Sequence, residues 1–152
     1  MNDYASRILR IGLVNSGMFD LLELNMDVQA IHLVGQNNVG KTSLIALIQF
    51  LYFHHLREMT FSKSLAETLA FYFPREGGYI LFQVRAMNGA VRTVGIFGTG
   101  TADSREIFCF DGPFELQDFM DGQNCVMSLQ DVQERFFGRT FRRYGRFEDY
   151  ER

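Results

Sequence analysis

The feature that most constrains this chain of 152 residues is a stretch of eight residues with glycine at its first and sixth positions. The stretch reads Gly35-Gln36-Asn37-Asn38-Val39-Gly40-Lys41-Thr42. The apolar run just before it, at residues 30–34, predicts a buried strand. Glycine at these positions lets consecutive backbone N–H groups face an anion. Lys41 can then reach the β- and γ-phosphates of a nucleotide, and the Thr42 hydroxyl can ligate Mg²⁺. The sequence therefore predicts a loop that binds nucleotide phosphates.

The residues after this loop predict a helix that begins at Thr42. Apolar side chains recur there at three- and four-residue spacing, namely Leu44, Ile45, Leu47, Ile48, Leu51 and Tyr52. The N-terminus of such a helix directs the positive end of its dipole toward a bound anion. We therefore expect residues 35–42, together with Ser43, to bind a cofactor, and we expect this cofactor to be ATP with Mg²⁺.

Hydrophobic periodicity and turn residues predict further strands and short helices. The expected strands are at residues 7–15, 18–24, 79–87, 90–97 and 106–110. Turns are expected at Asn15-Ser16-Gly17 and at Asn88-Gly89, the second within a hairpin. The expected helices are at residues 64–71, 114–120 and 128–137.

Acidic residues slightly outnumber basic ones, 18 to 15, and the formal net charge is −3. This balance indicates neither nucleic acid nor a membrane as a partner, so any nucleic-acid contact must come from a local patch. No apolar run approaches the roughly 20 residues that span a bilayer. Cys109 and Cys125 are too few for a disulfide framework, and His32, His54 and His55 are too few for a metal site. We expect a cytoplasmic protein that does not bind a membrane.

The loop and its flanks resemble the N-terminal lobe of SMC-family ATPase heads. The resemblance is carried by Gly35 to Leu44, by the helix expected at residues 45–51, and by the opening residues 13–19. The family includes MukB-type condensins, RecF-like repair proteins and the SMC-like subunits of bacterial defence systems such as Lamassu. It implies an α/β fold of the P-loop NTPase class, an ABC-type lobe whose mixed sheet adjoins a P-loop helix. Residues 1–137 would form this lobe, and residues 138–152 an Arg- and aromatic-rich tail that starts a further connection.

The same resemblance implies roles for particular residues. In such heads ATP lies between two heads, and the loop amides with Asn37 contact the β-phosphate. Lys41 contacts the β- and γ-phosphates, and Thr42 contacts the Mg²⁺. A glutamine on a later loop reaches the same metal and the attacking water, and the candidates are Gln130, Gln133 and Gln123. We therefore predict Lys41 and Gln130 as catalytic residues, and Thr42 and Gln130 as metal ligands.

The implied partners are the C-terminal half of the same head, a second SMC-like head, accessory subunits and double-stranded DNA. The implied role is chromosome maintenance or defence against phage and plasmid DNA, and in the family a long coiled coil joins the two lobes of a head. Such ATPases need an acidic Walker B strand and a Ser-Gly-Gly-type signature, and this sequence contains neither. We therefore expect ATP hydrolysis only when a C-terminal lobe supplies those motifs.

Two other functions are compatible with the loop alone. One is a stand-alone small P-loop kinase or NTPase, although the Asn-Lys-x-Asp motif with which GTPases bind guanine does not occur. The other is a non-catalytic module that binds a nucleotide to support an interaction.

Arginines near the end of the sequence alternate with aromatic residues, in the order Arg135, Phe136, Phe137, Arg139, Phe141, Arg142, Arg143, Tyr144, Arg146 and Phe147. This pattern could bind a nucleic-acid backbone and stack bases. The interspersed acids Glu134, Glu148, Asp149 and Glu151 favour a solvated or partner-facing surface whose aromatic residues pack in the core. A second basic set would add to a DNA-facing surface if it clusters in the fold, and it consists of Arg7, Arg10, Arg57, Lys63, Arg85 and Arg92.

Overall fold

The computed structural model describes residues 7–17, 19–26, 45–52, 64–100, 105–136 and 140–144. The strands are β1 (Arg7–Ser16), β2 (Phe19–Asn25), β3 (Gly78–Arg85), β4 (Val91–Gly98), β5 (Glu106–Asp111) and β6 (Phe141–Tyr144). The helices are α1 (Gln49–Tyr52), α2 (Leu65–Tyr72), a 3₁₀ helix (Leu116–Phe119) and α3 (Leu129–Arg135).

The six strands form one sheet in the order β2-β1-β3-β4-β5-β6, and each neighbouring pair is antiparallel. Tight turns join β1 to β2 and β3 to β4, a connection that antiparallel pairing permits. In the first turn Asn15 and Gly17 adopt positive φ angles of 48° and 62°. The second turn passes through Asn88 and Gly89, where Gly89 has a φ of 86°. Both turns predicted from the sequence are confirmed.

The fold class expected from the sequence is wrong. A mixed sheet has parallel neighbours joined by long crossover connections, whereas every strand pair of the described sheet is antiparallel. The mixed sheet was implied by the resemblance of the loop and its flanks, and neither these residues nor the apolar runs give the direction of neighbouring strands. The five strands expected between residues 7 and 110 are confirmed individually, and the one expected at residues 30–34 lies outside the described residues.

The P-loop helix expected to run on from Thr42 is also wrong as a continuous helix. A turn at Leu47 and Ile48 interrupts residues 45–52, and α1 spans only four residues. The backbone N–H groups of Ile48, Phe50 and Leu51 donate to carbonyls three residues back, at 3.4, 3.0 and 3.0 Å. That spacing is typical of 3₁₀ turns. Of the apolar positions expected to face the core, Leu47 is buried and Ile48 and Leu51 are partly buried, whereas Ile45 is 61% exposed. The buried Phe50 is not among the expected positions.

Successive side chains point to opposite sides of each strand, so the sheet has two faces, and helices cover both. We call the face that packs against α1 and α2 the α2 face. Its buried strand residues are Ile11, Leu13, Ile80, Phe82, Val94, Ile96, Ile107 and Cys109. Phe50 packs edge-to-face against Tyr72 and Phe73, with ring centroids 5.4 and 5.5 Å apart. These contacts hold the segment after the predicted loop against the sheet.

The opposite face, which we call the α3 face, carries an aromatic cluster covered by the 3₁₀ helix and α3. Its members include Val14, Tyr79, Leu81, Phe108, Phe110, Phe114, Phe119, Leu129, Val132 and Phe136. Phe141 stacks on Phe108 with ring centroids 5.4 Å apart, so part of the predicted tail belongs to the sheet as β6. The Tyr79 hydroxyl donates to the Met127 carbonyl at 2.7 Å, and burial raises the pKa of Tyr79.

Serine residues cap the N-termini of two of the helices. The Ser64 Oγ accepts from the Glu67 N–H and the Ser128 Oγ accepts from the Asp131 N–H, each at 3.3 Å. The helices predicted at residues 64–71 and 128–137 are confirmed as α2 and α3, whereas the third, at residues 114–120, is a short 3₁₀ helix. Among the helices in the described ranges, none is long and apolar enough to cross a membrane.

Gly95 lies opposite Phe108 in the β4–β5 pair, and a Cβ atom at Gly95 would lie 2.1 Å from the Phe108 ring. We expect Gly95→Ala to lower the free energy of unfolding by about 1–3 kcal/mol, because the ring must move within a packed core. Urea denaturation measures this change. Gly122→Ala is the matched control, since no atom lies within 4 Å of its Cβ position, and it should cost less than about 0.5 kcal/mol. Equal losses in the two variants would contradict this packing.

Candidate functional site

The predicted phosphate-binding loop lies between two segments that the structure describes. Residues 35–43, which include Lys41 and Thr42, lie outside the described residues. Upstream of them, Leu22 and Leu24 of β2 pack against the cluster on the α2 face. The backbone N–H of Met26 then donates to the Leu9 carbonyl at 2.8 Å. The chain therefore enters the loop segment from a point fixed beside β1.

Downstream of the loop, the chain returns to the same face of the sheet. Leu47 and Phe50 are both buried in the cluster on the α2 face. Ile48 and Leu51 are partly buried against it. Both flanks of the loop segment are therefore anchored to the α2 face.

Among the predicted catalytic, cofactor-binding and metal-binding residues, only Gln130 falls within the described part of the chain. It is exposed on α3, and its Oε1 accepts from Arg143 Nη1 at 3.0 Å. The Gln133 Oε1 accepts from the same nitrogen at 3.2 Å, and Arg143 Nη2 pairs with Glu106 Oε2 at 2.6 Å. The two glutamines thus connect α3 to the β5–β6 edge of the sheet.

The structure does not bring Gln130 next to the segment that follows the loop. Leu129 of α3 packs on the α3 face, whereas Leu47 packs on the α2 face, so the sheet separates the two segments. Gln123, the remaining candidate, is exposed in a turn where its backbone N–H donates to Asp121 Oδ1 at 2.8 Å. The Mg²⁺ role of Gln130 stays a prediction, because Thr42 lies outside the described residues.

Arg10 on β1 is the centre of a polar network on the α3 face. Its Nη1 donates to Gln83 Oε1 at 2.8 Å and to the Phe114 carbonyl at 3.1 Å. Its Nη2 lies 2.5 Å from Glu23 Oε1, and its guanidinium lies over the Phe114 ring, 4.3 Å from the centroid. The guanidinium of Arg10 is therefore paired with groups of the protein itself, and Arg10 does not belong to a DNA-facing surface.

Sequence reasoning missed this network, although the sequence holds a signal for it. Arg10, Gly12 and Val14 alternate along one face of an apolar strand, so a charged residue and a glycine occupy core-facing positions. A Cβ atom at Gly12 would lie 2.6 Å from the Phe114 ring. The glycine thus makes room for the ring that Arg10 covers.

Three other arginines of the predicted basic set lie at one end of the sheet. Arg7 and Arg85 are direct partners in the β1–β3 register. Arg92 lies at the start of β4, and its Nε is 3.5 Å from Asp111 Oδ1 in an exposed pair. Arg57 and Lys63, the remaining members of the set, lie outside the described residues.

The two cysteines have different surroundings. Cys109 is buried on the α2 face, and burial raises the pKa of its thiol against the opposing effects of Arg92 and Arg142. A thiol with a raised pKa is a poor nucleophile at neutral pH, because its reactive form is the thiolate. Cys125 is exposed, and both cysteines are free.

An open cleft with a volume of about 730 Å³ lies beside the β1–β2 turn. Its lining residues are Asn15, Asp20, Leu21, Glu76, Gln117, Met120, Asn124, Cys125 and Val126. The two carboxylates, Asp20 and Glu76, would repel phosphate groups, and no lysine or arginine is among these lining residues. The cleft is therefore unsuited to nucleotide phosphates.

Removing the guanidinium of Arg10 tests its structural role. We expect Arg10→Met to lower the free energy of unfolding by about 2–4 kcal/mol, because Gln83 and the Phe114 carbonyl lose their donor. Guanidinium denaturation measures the loss. In the control, Arg92→Met breaks only an exposed pair and should cost less than about 1 kcal/mol. A loss at Arg10 no larger than that at Arg92 would show that the network contributes little.

Comparison with known proteins places this chain in a family. No curated protein matches it. The model of the family described as "Putative Mks condensin complex protein MksF" matches residues 1–143, which include the predicted loop and strands β1 to β5. Because this match covers most of the chain, the chain belongs to the MksF family.

Proposed function

We propose that this chain is the ATP-binding part of a condensin-type complex that acts on DNA. The family description places its members in a condensin complex. The observation that carries the proposal is the spacing of residues 35–42, in a segment whose two flanks are anchored to one face of the sheet. The loop has the donor set for nucleotide phosphates, and in this proposal it couples the action of the complex to nucleotide binding.

The chemistry of the loop fits a nucleotide triphosphate bound with Mg²⁺. Gly35 and Gly40 allow the backbone N–H groups to converge on phosphate oxygens. Lys41 contributes a positive charge toward the β- and γ-phosphates, and Thr42 contributes a hydroxyl ligand for Mg²⁺. The metal ion, when bound, neutralises charge on the phosphates. The cleft beside the β1–β2 turn is lined by two carboxylates, whereas the loop offers hydrogen-bond donors and one cation.

Anchored flanks support this assignment on energetic grounds. Ordering a loop around a ligand costs conformational entropy, and part of that cost is already offset if the ends of the loop are held. The Met26–Leu9 hydrogen bond holds one end, and the burial of Leu47 and Phe50 holds the other. Met26 and Leu47 are therefore both fixed to the α2 face before ATP binds.

Hydrolysis, in this proposal, requires groups from outside the sequence. The sequence has no acidic Walker B strand and no signature motif, so it lacks the groups that orient water and stabilise the transferred phosphoryl group. A C-terminal lobe and a second head would supply them, with ATP between the two heads. The chain alone would bind ATP and turn it over poorly.

Replacing the loop lysine tests the proposal directly. We expect Lys41→Ala in the intact protein to weaken ATP binding at least about tenfold, or about 1.4 kcal/mol, because a charge-assisted phosphate contact is lost. Isothermal titration calorimetry with ATP and Mg²⁺ measures the dissociation constant.

Lys63→Ala is the matched control, because the sequence contains only these two lysines and Lys63 lies outside the motif. It should leave the dissociation constant within about twofold, since it changes the charge by the same amount without touching the loop. If Lys41→Ala behaves like Lys63→Ala, the loop does not bind the phosphates and the proposal fails. Strong ATP binding without turnover in the complete complex would instead identify a non-catalytic nucleotide-binding module.

A further inference from the structure

The cleft beside the β1–β2 turn has the size of a ligand site. Its volume of about 730 Å³ lies within the range of about 300–1,000 Å³ that is common for such sites. Three segments that are distant in the sequence form its walls. They are the β1–β2 turn with the start of β2, the turn before β3, and residues 117–126, which lead from the 3₁₀ helix into the following loop.

Hydrogen bonds hold these walls in a defined shape. The Asn15 side chain donates to the Gly77 carbonyl at 3.0 Å, which ties the β1–β2 turn to the turn before β3. In the third wall, Asp121 Oδ1 accepts from the backbone N–H groups of Gln123 and Cys125 at 2.8 and 2.9 Å. Because the walls are ordered before a ligand arrives, binding costs less conformational entropy.

Part of the lining is apolar, and one leucine in it is accessible to solvent. Leu21 is 39% exposed. It lies directly opposite Val14 in the β1–β2 register, and Val14 is buried on the α3 face, so Leu21 projects from the same face. Val126 is half-buried and forms a β-bridge with Met120. An apolar side chain placed in the cleft would therefore remove Leu21 from water.

The charged groups of the cleft are acidic. Asp20 and Glu76 are both exposed, and no lysine or arginine is among the lining residues. Two carboxylates without a cation attract a positive group and repel a polyanion such as nucleic acid. A ligand that matches the whole cleft therefore combines positive charge with apolar surface.

We infer that this cleft binds a segment of a partner subunit in which arginine or lysine lies beside apolar side chains. The inference rests on the part of the proposed function that places the chain in a complex, and it adds a site separate from the nucleotide loop. Such a segment complements the cleft in charge and in polarity. A metal ion is a poorer match, since the described ranges contain no group of three or more histidine, cysteine or acidic side chains that could hold one.

The protein carries its own reporter for occupancy of the cleft. Cys125 lines the cleft and is exposed. The other cysteine of the chain, Cys109, is buried, and burial raises the pKa of its thiol. Iodoacetamide should therefore alkylate Cys125 much faster than Cys109, because the reactive form is an accessible thiolate. A bound segment would slow the reaction at Cys125.

The test uses the intact protein and a short synthetic peptide that contains two arginines and two leucines among glycine and serine residues. Mass spectrometry follows the alkylation of Cys125 over a range of peptide concentrations. At about ten times the dissociation constant, alkylation should be about tenfold slower, because only about one cleft in eleven is free. Peptides with glutamate in place of arginine, or serine in place of leucine, should bind at least about fivefold more weakly, since each lacks one kind of contact.

Replacing the two carboxylates tests the charge of the cleft. We expect Asp20→Asn/Glu76→Gln to weaken binding of the peptide at least about fivefold. Glu67→Gln/Glu115→Gln is the matched control, because both carboxylates are exposed and neither lines the cleft. It should keep the dissociation constant within about twofold, since it removes the same charge elsewhere.

Three results would overturn the inference: no protection of Cys125 by the peptide, equal protection by the control peptides, or equal losses in the two double variants. Protection that rises with protein concentration in the absence of peptide would identify a second copy of the chain as the occupant, which also overturns it.

The complete complex separates this inference from the proposed function. There Cys125 should be alkylated at least about tenfold more slowly than in the isolated protein, because the partner segment stays in place. A complex that assembles with Cys125 as reactive as in the isolated protein would overturn this inference alone. A chain that enters no complex would overturn the complex-forming part of the proposed function as well, while ATP binding is decided by calorimetry.

Discussion

Burial of β3 on both faces is the constraint on which the rest of the structure depends. Tyr79, Ile80, Leu81 and Phe82 are consecutive and fully buried, which requires cover on both sides of the sheet. The α1 and α2 helices cover one side, and the 3₁₀ helix with α3 covers the other. Each large apolar side chain removed from water contributes about 1.5–3 kcal/mol, so neither layer can be lost without exposing a core. The presence of a helical layer on each face of the sheet follows from this requirement.

The strands were largely predictable from the sequence, and their arrangement was not. Alternation and turn residues located β1 to β5 and the Asn88-Gly89 hairpin. Strand direction and order depend on contacts between distant segments, so the predicted mixed sheet and continuous P-loop helix were both wrong. The apolar spacing predicted the burial of Leu47 correctly, but it included Ile45, which is exposed, and left out Phe50, which is buried, because 3₁₀ turns rotate the side chains away from the α-helical period.

Candidate site residues could be proposed from the sequence only where their chemistry is local. The loop at residues 35–42 is a local motif, and its spacing predicts phosphate binding, which stays a prediction because these residues lie outside the described ranges. One partner of Gln130, Glu134, lies one turn further along α3, but its other partner, Arg143, belongs to β6 and could not be inferred from the local sequence. Arginines illustrate the same limit. Arg10 is hydrogen-bonded within the protein, whereas the ion pair of Arg92 is exposed. Both residues occur in strands of similar composition, so only the fold distinguishes their roles.

The pairing of β1 with β3 has a consequence for how the protein reaches its native state. The two strands are neighbours in the sheet, but β2 and the whole loop segment lie between them in the chain. Loop-closure entropy must be overcome before such a distant pairing contributes stability, so this step is slow compared with forming the β1–β2 and β3–β4 hairpins. Leu47 and Phe50 pack against residues of both β1 and β3, so they can be buried only after these two strands have paired. Met26 and Leu47, the described residues nearest to the two ends of residues 27–44 that pack on the sheet, are thus both fixed to the α2 face only after the hairpins have formed.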